Sequence, residues 1–287
     1  MKDDRWMKNP AKMIEDTIRN FINKSPENTL KNKENEKAWE DSLVGFSSGA
    51  DPLYQEYKEH VGAFHWTPLE IFRNTFPQME VQADDLTVIS WVLPSTQATK
   101  SDNRKETLYP SERWARARMF GEEVNVKLGK HVIATLHEAG FRAIAPSQSP
   151  LWKSLPSEPY TMASTWSERH AAYASGLGTF GLCDGLITSK GKAIRCGSVV
   201  GLIKIPPTQR PYGDHRAYCL FFSKGTCGKC ISRCPAGALS AEGHDKVKCR
   251  SYVSGEIKAY VAAHFGFEGY GCGLCQTGVP CESEIPS

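Results

Sequence analysis

At 287 residues the chain is longer than a usual single domain, so one large domain plus a smaller one is the expected organisation. Hydrophobic residues make up 40% of it, enough for a buried core, which excludes disorder along the whole length. A net charge of +3 gives no electrostatic case for nucleic acid, and no run of about 18 apolar residues offers a transmembrane helix.

The opening MKDDRWMKNPAKMIEDTIRNF alternates charged with apolar residues and has neither a secretory h-region nor a twin-arginine signal. A cytoplasmic location is expected, where thiols stay reduced. Within residues 10–24, Met13, Ile14, Ile18, Phe21 and Ile22 share one side of a helix. Residues 25–38 are polar and read as a linker or exposed excursion, so 1–40 forms an N-terminal helix and linker. Leu86–Leu93 is a buried strand ending at Pro94. A helix opens near Ser111, with Trp114, Val124, Leu128, Val132 and Leu136 as its apolar positions, and stops at Gly140. Phe141–Ala145 reads as a second strand, giving the strand–helix–strand unit of α/β domains.

Thr165 and Glu168 have capping-box spacing at the head of a short helix that ends at Gly176. The run Gly176-Leu-Gly178-Thr-Phe-Gly181 is a G-x-G-x-x-G, but the dinucleotide fingerprint needs a strand before it and a helix after. Here a helix precedes it, and strands at Gly185–Thr188 and Ile194–Ile205 follow. Two readings stay open: a tight turn that glycine permits, or a backbone that closely approaches a flat cofactor.

Eight of the ten cysteines lie in the last 69 residues: Cys219, Cys227, Cys230, Cys234-Pro235, Cys249, Cys272, Cys275 and Cys281. Eight thiolates fill two four-coordinate sites. The C-x2-C-x3-C-P portion resembles the tail of the bacterial ferredoxin pattern, which implies two [4Fe–4S] clusters and single-electron transfer at low potential. Structural zinc and a disulfide framework are the alternatives; a proline after the x3 spacing disfavours the first, and a reducing compartment the second. Cys183 and Cys196 lie outside the ladder and read as small buried hydrophobes.

Trp166–Gly181, with Leu186-Ile-Thr188, Arg195 and Gly197-Ser198-Val-Val, resembles the cobalamin-binding core of the epoxyqueuosine reductase and reductive dehalogenase superfamily. Cys249-Arg-Ser-Tyr and Gly271-Cys-Gly-Leu-Cys-Gln resemble the epoxyqueuosine reductases as well, and the resemblance spans about residues 85–281. It implies an α/β (α+β) fold: a nitroreductase-like cobalamin-binding domain over 41–210 and a double-cluster, ferredoxin-like domain over 211–287. It also implies one cluster on Cys219, Cys227, Cys230 and Cys281 and the other on Cys234, Cys249, Cys272 and Cys275. Base-off cobalamin would contact Gly176, Gly178, Gly181, Thr188, Gly197 and Ser198. The implied activity is reduction of a small organic molecule by dehalogenation or deoxygenation, with electrons from an external ferredoxin or flavodoxin. Epoxyqueuosine reduction on transfer RNA is the alternative, as is a pure electron-transfer or corrinoid-reducing protein.

Three departures bear on these implications. Met162 stands where the epoxyqueuosine reductases carry a proton-donating aspartate. The sequence ends six residues after Cys281, without the helical-repeat tail that helps some of these enzymes hold RNA. Cys219-x7-Cys227 replaces an opening C-x2-C, and Pro280 precedes Cys281. With methionine unable to donate a proton, Tyr160 is the candidate donor, since dehalogenase relatives use a tyrosine over the cobalt and a phenol stays protonated at neutral pH. Packing of its ring in the core is the plainer reading.

Overall fold

A computed structural model describes Trp6 and residues 8–287. The first helix, α1 (Pro10–Lys24), starts at the Asn9 cap with Pro10 in its first turn and buries Ile14, Ile18 and Ile22, the stripe read from the sequence. Residues 25–38 form no regular element and half of them are exposed, as expected, but the segment is anchored at three buried residues. Leu30 and Ala38 are fully buried, and the Asn28 side chain donates to the Ile22 and Trp39 carbonyls while accepting from the Trp39 amide. One buried amide thus satisfies the turn's polar groups, which charge composition could not disclose.

β1 (Leu43–Ser48), α2 (Leu53–His60) and α3 (Pro68–Thr75) lead into β2 (Leu86–Pro94), which is buried at every position. Ile89, Trp91 and Leu93 face one core with α1 and the long helix, while Val88 and Val92 face a second core on the other side of the sheet. With both faces covered, the strand reads as an unbroken apolar run. α4 (Gln97–Lys105) and α5 (Glu112–Glu138) follow, the latter capped by Ser111 and ending before Gly140 at φ +86°.

The strand expected at 141–145 shortens to β3 (Ala143–Ile144), because it pairs at a sheet edge and the chain turns off at Pro146. β4 (Ser154–Ser157) and β5 (Thr161–Ser164) form a separate hairpin, α6 spans Glu168–Ala174, and β6 (Gly178–Phe180) pairs with β7 (Leu186–Thr188). β8 (Ile194–Leu202) then enters the main sheet, whose order is β1-β2-β8-β3 with every neighbouring pair antiparallel. The β2–α5–β3 unit is therefore present, but β8 lies between its strands. The fold is mixed helix and sheet, as expected.

The capping box expected at Thr165 does not form. Thr165 is held by Lys153, whose amide donates to its hydroxyl at 3.1 Å, and Ser167 caps α6 by accepting from His170 N. Glu168 turns inward instead, taking the Ser198 hydroxyl at 2.5 Å.

Beyond residue 210 the elements are short: α7 (Leu220–Ser223), α8 (Lys229–Ser232), β9 (Leu239–Ser240), β10 (Gly243–His244), α9 (Lys246–Tyr252) and α10 (Lys258–Phe265). Arg233 ties this part to the large sheet layer. Its guanidinium donates to the Thr277 carbonyl at 3.0 Å, the Glu106 carbonyl at 2.8 Å and the Asn103 carbonyl at 3.2 Å. Few apolar residues pack here, so side-chain chemistry has to supplement the core.

Candidate functional site

All ten cysteines are free thiols. Cys219 caps α7, Cys230 sits on α8, and Cys227 lies in the turn between them; these three line one pocket with Cys281. Cys234 follows α8, Cys249 lies on α9, and Cys272 and Cys275 come from the Gly271–Gln276 loop; these four line a second cavity of about 260 Å³. Among the described residues no three His, Cys, Asp or Glu side chains are close enough to hold a single ion. A four-iron cube needs a lined pocket, since its thiolates surround a body and do not meet at a point. Four ladder thiols line each pocket, with Cys183 a fifth thiol in the second, and such all-thiol donor sets suit these clusters.

The second cavity opens as a cleft against the large sheet layer. Trp114 and Arg118 from α5, Arg169 from α6 and Arg195 from β8 line it together with His244 and Tyr252. Arg195 pairs with Glu122, to which Arg118 also reaches at 3.6 Å, and Arg169 donates to the Asp184 carbonyl. Asp184 bonds His244 Nδ1 at 3.0 Å and holds its imidazole protonated, with a pKa raised to about 10. The cleft is cationic and suits an anionic or amide-rich ligand.

Tyr160 is 36% exposed at the tip of the β4–β5 hairpin, outside the core, with Lys246 Nζ 4.2 Å from its ring centroid. Lys246 lies 3.7 Å from Asp184 Oδ2, so Tyr160 connects to the cleft wall through two charged groups. Met162 lies in β5 opposite Pro156.

The six residues assigned to cobalamin contact the chain itself. Gly176, at φ +77°, ends α6 against the Gln209 carbonyl, and a Cβ on Gly178 would overlap the Ile187 carbonyl. Gly181 donates to the Gly185 carbonyl at 2.8 Å, and Thr188 to the Gly191 carbonyl at 2.8 Å. A Cβ on Gly197 would stand 2.5 Å from the Trp91 indole, and Ser198 joins Glu168 to Trp166 Nε1. These glycines serve tight turns and close packing of strand on ring.

Sequence reasoning missed Arg118, Lys192 and Lys246, which stand among other charged or polar residues and carry no local signal. It treated Cys183 and Cys196 alike. Cys196 does lie in the core behind β2, where burial pushes its thiol up to about 12, whereas Cys183 lines the second thiol cavity.

Glu168 is a further buried carboxyl. Its Oε1 has no hydrogen-bond partner, and burial raises its pKa from 4.5 to about 7. A raised folded-state pKa contributes stability below pH 4.5 that is lost as pH rises through 7. Glu168→Gln should therefore be more stable than the parent at pH 8, by on the order of 2–3 kcal/mol, and equal to it below pH 4.5. Urea unfolding at both pH values checks this; an equal difference at each would remove the carboxyl as its source.

No family model matches the chain. An epoxyqueuosine reductase of Bacillus anthracis is 32% identical over 120 residues, which is 40% of this chain and 29% of that protein. The chain thus matches under a third of the relative's length. A catabolic reductive dehalogenase superposes over 95% of this chain and 37% of its own, with TM-score 0.53 and 13% identity. A second reductive dehalogenase, whose structure is described as suggesting a mechanism for B12-dependent dehalogenation, covers 85% of this chain and 30% of its own at TM-score 0.50 and 14% identity. In sequence the chain is thus similar to epoxyqueuosine reductases over part of its length, and in fold it is similar to reductive dehalogenases.

Proposed function

We propose that the chain is an iron–sulfur oxidoreductase that works with a corrinoid. The observation that carries this reading is the sorting of the eight ladder thiols into two separate pockets, four to each. One [4Fe–4S] cluster would sit on Cys219, Cys227, Cys230 and Cys281, the other on Cys234, Cys249, Cys272 and Cys275. Gly176, Gly178, Gly181, Thr188, Gly197 and Ser198 would face the corrinoid, and Arg118, Arg169 and Arg195, held by Glu122 and the Asp184 carbonyl, would add positive charge beside it. When bound, such groups supply low-potential electrons and a metal centre suited to cleaving a carbon–heteroatom bond.

The chain's own part is to shield the thiol pockets from water, to present three cations to an anionic ligand, and to offer the Tyr160 hydroxyl as a proton donor. Likeness to the curated epoxyqueuosine reductase favours deoxygenation of that nucleoside on transfer RNA. The small organic halide is the second reading, favoured by the fold likeness to the dehalogenases. An external ferredoxin or flavodoxin would supply electrons in either case.

Anaerobic purification with iron, sulfide and cobalamin supplied, followed by metal counting, tests the reading. About eight iron with an equivalent of cobalt supports it. Iron without cobalt would leave an electron-transfer protein, and zinc without iron overturns the whole account. Turnover of epoxyqueuosine-containing transfer RNA and of halogenated phenols then separates the two substrates. Tyr160→Phe should keep the cobalt and lose turnover; unchanged turnover removes it as donor.

A further inference from the structure

Lys192 lies in the turn between β7 and β8 and is 2% exposed. A buried ammonium ordinarily pairs with a carboxylate, because an uncompensated charge is costly to desolvate. Lys192 has no such partner among the described residues. Its Nζ donates to Cys183 Sγ at 3.3 Å, and its backbone amide donates to the Cys281 carbonyl at 2.8 Å. The side chain lines the pocket of Cys219, Cys227, Cys230 and Cys281. Cys183, on which the ammonium rests, lines the cavity of Cys234, Cys249, Cys272 and Cys275. The cation therefore stands between the two thiol sets, with sulfur as its side-chain partner.

We propose that Lys192 is the shared counter-cation of the two clusters, a positioning residue that raises the reduction potential of the cluster on Cys281 most and of its neighbour less. The proposal rests on the two-cluster reading above. Each cluster accepts one electron from an external reductant without taking up a proton, and its negative charge grows by one. A fixed positive charge in a water-excluded site stabilises that added charge, so net charge and hydrogen bonding near the sulfurs set the potential. Cys183 anchors the ammonium and is not a ninth ligand.

Potentiometric titration with dithionite, read by electron paramagnetic resonance, tests this on the anaerobically reconstituted chain, with iron and sulfide counted in every sample. Lys192→Met should retain the iron and make one-electron reduction of at least one cluster tenfold less favourable, a shift of about 59 mV to more negative potential. Lys192→Arg should hold the parent potential, and Cys183→Ser should keep the full iron count. Full iron with unchanged potentials in Lys192→Met overturns the proposal. Should Lys192→Met fail to load iron, Lys192→Gln takes its place. Loss of iron in both that Lys192→Arg restores supports the counter-cation role, and loss that arginine does not restore overturns it. Failure of the two-cluster reading is distinct, since the parent chain would then lack iron.

Discussion

Cys281→Ser is expected to lower iron from about eight to about four per chain and to loosen the whole C-terminal part. Cys281 reaches the first thiol pocket from the end of the sequence, where Cys219, Cys227 and Cys230 already stand. All four thiols of the second set lie between Cys230 and Cys281 in sequence. The first cluster would therefore close a loop of roughly 50 residues around the second, worth about 4 kcal/mol by loop entropy alone. Cluster binding is folding free energy in so small a core. Iron analysis and anaerobic urea unfolding followed by visible absorbance and circular dichroism check this. Full iron in the variant would remove Cys281 from the ligand set.

Gly273→Val should be the most damaging change outside the thiols. Gly273 lies between Cys272 and Cys275 at φ +65°, and a Cβ there would fall inside the Trp114 indole on α5. Left-handed backbone costs a branched residue about 1–2 kcal/mol and overpacking a further 1–3 kcal/mol, so a loss of about 2–5 kcal/mol is expected. The loop would shift and carry two thiols with it, so iron in the second set should fall too. Gly237→Ala separates the contributions: Gly237 also has positive φ, at +57°, but nothing lies within 4 Å of its Cβ position. It should lose only the backbone part and keep its iron. Equal losses in the two variants would show that the Trp114 contact is irrelevant.

The main elements were legible because one residue type at one spacing decides each of them. Ile14, Ile18 and Ile22 mark the buried stripe of α1, and the unbroken Leu86–Pro94 run marks a strand covered on both faces. Ser111 and Gly140 bound α5 by capping chemistry that acts within one turn. The Thr165 capping box failed because its hydroxyl is taken by the amide of Lys153, which precedes β4. The anchoring of residues 25–38 was hidden for the same kind of reason, since Asn28 gains its partners only once α1 and Trp39 are in place.

The sequence by itself determined the helix and strand material, the eight thiols of the ladder and the superfamily resemblance, all carried by local pattern and residue chemistry. Tertiary structure alone decided three things. It packed Gly176 and Gly178 against the Gln209 and Ile187 carbonyls, gathered Arg118, Arg169 and Arg195 onto one cleft, and set Lys192 with Cys183 between the thiol pockets. Those outcomes depend on which distant segments share a buried space. Charge and burial are properties of that space, and no window of neighbouring residues contains it.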